Sequence, residues 1–171
     1  TINALTSPQA LIINARNDTL NSGAGVFLQG NIGLGVGPGE FALSTLDVTG
    51  GSYALQQVRT VSNQTYVGDG TLNGNITTTG AGFISFDGAV NLGANLTIAT
   101  TDGDVTFESE LDGSTAGTRT LIVNVGGANR DATFEGEVGG LRALAALTVT
   151  NGGAGAINVN GGQVSTTGDQ T

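Results

Sequence analysis

The side chains of this chain that could do chemistry are its carboxylates, and several recur at matched places. Asp87, Glu108 and Glu135 each follow a phenylalanine, in the stretches FDGAV, FESEL and FEGEV, and Glu110 and Glu137 come two residues after Glu108 and Glu135. Each stretch runs large, small, large at its first, third and fifth residues, so a strand would turn Phe86, Gly88 and Val90 to one face and the acids to the other. Stacked in parallel, such strands would set Glu108 beside Glu135 and Glu110 beside Glu137, about 4.8 Å apart. Like charges at that spacing repel. A hard cation that accepts several oxygens, Ca²⁺ before Mg²⁺, would relieve the repulsion, with Asp87 extending the column. The other reading is a hydrated acidic face, partly neutralised by Arg119, Arg130 or Arg142, which keeps a rod soluble and discourages edge pairing. Asp102, Asp104 and Asp112 in the turns TTDGDV and ELDGS add acids, as do Asp69, Asn73 and Asn75 in GDGTLNGN. None of these fits an EF-hand loop or the nonapeptide calcium repeat.

The remaining inventory argues against an enzyme. The 171 residues include no His, Cys, Lys, Met or Trp. The chain therefore lacks the imidazole base, the thiol and the amine of common catalytic sites. Paired carboxylates could hydrolyse glycosides, but here they fall on repeat-equivalent, outward positions. Five arginines against fourteen acids give a net charge of −9. That charge repels phosphate backbones, so nucleic acid is not an expected partner. No apolar run approaches the ~18 residues of a membrane helix. No metal or organic cofactor other than Ca²⁺ is expected.

The elements that must carry these acids are strands. Thirty glycines and 11 % charged residues depart far from ordinary composition, and Val, Ile and Thr with Gly and Asn favour short strands and tight turns. After each phenylalanine strand and a Gly, Asn and Thr-rich gap comes an apolar, any, apolar motif: LTI at 96, LIV at 121, LTV at 147 and, earlier, LDV at 46. FLQGNI at 27–32 reads as a looser phenylalanine strand with a bulge. Further strands fit at LII from Leu11, VRTV from Val58, INV from Ile157 and VST from Val164; LRALAAL from Leu141 reads as strand or turn. Units of 20 to 30 residues without helices cannot bury their own apolar faces and must stack on one another. The expected fold is all-β: a parallel right-handed β-helix, or β-solenoid, of about seven coils. Small residues such as Gly88 and Gly136 would let its narrow interior close at a corner. The alternative is a tandem of immunoglobulin-like β-sandwiches.

A longer echo overlies these units. QVRTVSNQT at 57–65 returns as QVSTTGDQT at 163–171, a period of 106 residues. The whole of 1–171 therefore reads as one solenoid segment of a longer repeat protein, with the two stretches as one strand seen twice. The absence of an initiating Met and of a signal-peptide core suits a segment from inside a processed chain. Threonine-rich stretches such as TTTG and STTG read as solvated strand threonines rather than a binding row, since their offsets from the Phe and Leu landmarks differ. The Asn-x-Thr sequons at Asn17, Asn63, Asn75 and Asn95 are what an Asn- and Thr-rich chain produces by chance. Tyr53, Tyr66 and the six phenylalanines read as interior or corner packing. GLGVGPGEF at 33–41 lacks the lysine and the following helix of a phosphate loop and reads as a turn or insertion.

The stretch FEGEVGGLRALAALTVTNGGAGAINVNGGQVSTTGDQT, 134–171, resembles the strand repeats of large secreted bacterial exoproteins of the filamentous-haemagglutinin and autotransporter-passenger type. FLQGNIGLGVGPGEFALSTLDVTGG, followed by YALQQVRTVSNQTY, is similar to the same unit with insertions. The resemblance implies a β-helical rod outside a Gram-negative cell, on its surface or secreted, acting as fibre, stalk or adhesin. The resemblance carries no catalytic residues. Exposed end strands would invite edge pairing, so the expected partners are neighbouring repeats or copies, end to end. The alternative function is a module on the same rod that binds glycans of a host or environment, or Ca²⁺.

Overall fold

Apolar residues alternating with Thr, Asn or Ser, bounded by Gly and Asp, form short strands throughout. A computed structural model describes residues 9–15, 25–34 and 43–171. In chain order its strands are β1 (Leu11–Ala15), β2 (Gly25–Leu28), β3 (Leu46–Leu55), β4 (Val58–Thr60) and β5 (Gln64–Leu72). There follow β6 (Ile76–Thr78), β7 (Ile84–Asp87), β8 (Val90–Leu92), β9 (Leu96–Thr100) and β10 (Val105–Phe107). The last are β11 (Leu111–Gly113), β12 (Thr120–Val125), β13 (Ala132–Phe134), β14 (Ala146–Asn151) and β15 (Ile157–Val159). No helix occurs among the described residues.

Two sheets result. One contains ten strands along the path β1-β3-β5-β7-β10-β13-β15, with β2, β8 and β11 beside it; the other runs β14-β12-β9-β6-β4. Every strand pair among the described residues is parallel. That pairing overturns the sandwich alternative, whose sheets are antiparallel. From Leu46 onward the chain returns to the same line of the larger sheet every 18 to 27 residues, through Gln64, Ile84, Val105, Ala132 and Ile157. Each return is a rung.

The expected landmarks fall into register. Phe86, Phe107 and Phe134 are direct partners, as are Leu96, Leu121 and Leu147. The first line extends upward through Tyr66 to Val48 and downward to Val159. Its buried rings stack at centroid distances of 5.1, 5.0 and 5.0 Å from Tyr66 to Phe134. Each such contact adds about 0.5–1.5 kcal/mol to the burial of the rings.

Tyr53 joins the stack from the neighbouring line, 5.5 Å from Tyr66. Its ring lies over Gly70, where any Cβ would strike it. Both tyrosines are buried, as their sequence context suggested, but their hydroxyls differ. Tyr66 donates to Gln64 Oε1 at 2.6 Å, and Gln64 Nε2 donates to Thr60 Oγ1 and to the Thr77 carbonyl. Tyr53 Oη is buried without a partner. Burial raises the pKa of both phenols well above its ordinary value.

Four expectations change. The phenylalanine motif is not one strand: Phe86 lies in β7, Val90 opens β8, and Gly88 between them has φ +132°. A Cβ at Gly88 would strike the Gly68 carbonyl of the neighbouring rung, so the small residue turns the corner. LDV at 46 pairs with Gln64 in the larger sheet, not with the Leu96 line, because both sheets use the same apolar alternation. Phe27 lies opposite Ala54 and is 67 % exposed, while Val26 takes the inward place, so FLQGNI is no aromatic rung. The two echoes also occupy different lines. Val58 lies in β4 of the smaller sheet, whereas Val164 bridges Val138 and continues the line of Leu111 and Val90. Their shared letters are generic strand and turn residues, and they do not mark one strand seen twice. Asn17, Phe41 and most of GLGVGPGEF lie outside the described residues.

Candidate functional site

The repeated acids stand where the stacking of rungs puts them. Glu135 donates its backbone N–H to the Phe107 carbonyl and Glu108 donates its own to Phe86, so Asp87, Glu108 and Glu135 follow one another on successive rungs. Glu110 and Glu137 do the same around the corner, where Val90 N–H donates to Glu110 and Leu111 N–H to Glu137. All five side chains are exposed. Among the described residues no three His, Cys, Asp or Glu side chains converge on one point. Glu110 and Glu137 share a groove of about 280 Å³ with Asp112 and Leu141. Asp112 is buried, and its Oδ1 accepts the backbone N–H groups of Leu141 and Arg142 at 3.2 and 2.9 Å, which offsets the cost of that burial and holds the turn. Glu135 accepts from Asn160 Nδ2 at 3.0 Å.

A second line of polar residues does something the sequence did not announce. It occupies the position just before each rung of the larger sheet from Gln64 onward: Asn63, Phe83, Asp104, Asp131 and Ala156. Asn63 Oδ1 accepts the Phe83 N–H, Asp104 Oδ1 accepts that of Asp131, and Asp131 Oδ1 accepts that of Ala156. The smaller sheet repeats the device, with Asn75 accepting from Thr97 and Asn95 from Thr120. Where they stand, these acids and amides stitch one rung to the next. The sequons at Asn63, Asn75 and Asn95 are thus rung signatures: an acceptor, then an inward residue, then an outward threonine. Threonine hydroxyls add to the stitching. Those of Thr77, Thr79 and Thr101 donate to carbonyls of the preceding rung rather than standing free.

Phe83 interrupts this line. Its ring has nothing with which to accept from the following rung, and it is 40 % exposed, against the expectation that the phenylalanines pack inside. Around it lies a shallow depression of about 190 Å³ bordered by Asn63, Asp102, Asp104 and Arg130. Arg130 Nε donates to Asp102 Oδ1 at 2.8 Å, the one ion pair among the described residues. The hydrogen bond, with the charge of Asp102, raises the guanidinium pKa further above its already high value. Of the other expected neutralising arginines, Arg119 donates to Ser114 Oγ and Arg142 Nη2 to Asn91 Oδ1. Strand parity was the signal that could have singled out Phe83. It lies three residues from inward Phe86, so the two must face opposite sides.

No family model matches the chain, and no curated protein or solved structure matches it. No helix among the described residues is long and apolar enough to cross a membrane.

Proposed function

We propose that this chain is a structural or adhesive segment of a bacterial extracellular protein, wound as a right-handed β-helix of about seven coils and acting as a rod, stalk or filament unit. The observation that carries the reading is the unbroken parallel register from Val48 to Val159. Such a stack can be extended by any further rung that repeats its columns. The resemblance to secreted exoprotein repeats supports placing the rod outside the cell. On β15 the inward columns lie bare: Ile157 and Val159 are 47 % and 46 % exposed, where their partners Ala132 and Phe134 are buried. An apolar edge strand of this kind favours pairing with another rung. Electron microscopy of the concentrated protein should show particles joined end to end, and Ile157→Asp should separate them. Single particles at every concentration would count against self-assembly.

A further inference from the structure

We propose that the depression around Phe83 binds a neutral polysaccharide chain, an inference that rests on the adhesive form of the reading above and supplies its ligand. Phe83 departs from the pattern that its polar neighbours in the line share. Asn63, Asp104 and Asp131 each accept a hydrogen bond from the following rung, and Phe83 gives up that bond to hold an aromatic ring half in water. A local rule broken at a half-exposed position marks a place open to selection for something other than stability.

The surroundings define the ligand. A sugar ring offers an apolar C–H face and a rim of hydroxyls. The Phe83 ring matches the face, while Asn63 on one side and Asp104, Asp102 and Arg130 on the other supply planar amide, carboxylate and guanidinium groups for the rim. Charge selects within that class. Arg130 is neutralised by Asp102, Asp104 leaves an excess negative charge, and the whole chain carries −9, so sulfated and uronic chains are repelled. Size selects again. The depression of about 190 Å³ is shallow, smaller than the sites of about 300–1,000 Å³ that enclose small ligands. It suits one or two rings of a polymer passing across the rod. Each contact would be weak, and presentation of many copies on a fibre would supply avidity.

Affinity electrophoresis through gels containing dextran, galactomannan, mixed-linkage β-glucan or heparin tests the proposal. The wild-type protein should be retarded in at least one neutral gel and not by heparin. Phe83→Asn restores the missing acceptor, so it should keep or raise the melting temperature while weakening retention at least tenfold. Arg130→Gln should weaken it several-fold. Migration unaffected by every neutral polymer, retention by heparin alone, or equal retention of wild type and Phe83→Asn would overturn the site. End-to-end assembly in the microscope is independent of Phe83, so loss of the site and loss of the rod would be told apart.

Discussion

Two columns of residues run along this molecule three positions apart on every rung, and they are built on opposite principles. The inner one, Tyr66, Phe86, Phe107 and Phe134, is filled by shape and area, with rings in contact from one rung to the next. The outer one, Asn63, Phe83, Asp104 and Asp131, is joined by hydrogen bonds at its rim. The inner column tolerates no gap, since its neighbours cannot relax into the space. The outer column is wet, so losing one of its bonds costs little and a residue there can be given over to recognition. Phe83 is where that freedom is used.

The largest difference between the columns should appear on truncation of the inner one. Phe107→Ala removes a ring held between two others and should lower unfolding free energy by about 3–5 kcal/mol, measured by urea denaturation. The polar exception inside comes next. Tyr66→Phe leaves Gln64 Oε1 buried without its donor and should cost about 1–3 kcal/mol. Burial raises the Tyr66 pKa above 10.0, so the folded state holds its proton where the unfolded chain releases it. That contribution is fully present below pH ~10 and falls away as pH rises beyond it. Thermal melts of wild type should therefore decline above pH ~10, and the decline should be shallower in Tyr66→Phe. Smallest is the outer column: Asp104→Ala forfeits one bond at a half-exposed rim and should cost about 0.5–1.5 kcal/mol by the same denaturation. An outer loss as large as the inner one would erase the distinction.

The inner column was legible in the sequence because its chemistry is periodic. Phe86, Phe107 and Phe134 recur with a large partner four residues on, and the acids beside them follow by alternation. The outer column was not, because a stitch is defined by the residue above it, and that requires the register. Asn75 and Asn95 look like chance sequons until Thr97 and Thr120 are seen to lie over them. Unequal loops hid the rest. With returns of 18 to 27 residues, a match 106 residues away lands in a different strand, as Val58 and Val164 do. Phe83 escaped notice for a further reason: composition treats every phenylalanine alike, and only its parity against Phe86 separates recognition from packing.

The stacking itself can be measured directly because the chain has no cysteine of its own. Thr65, Ser85, Thr106, Thr133 and Asn158 are successive partners on the outward face of the larger sheet. Spin labels at Thr65→Cys and Asn158→Cys, read by double electron-electron resonance, should report a narrow distribution consistent with a backbone separation of about 19 Å, four strand spacings in one straight line. A broad distribution, or one centred far beyond the reach of the labels around that separation, would contradict the stacked parallel sheet.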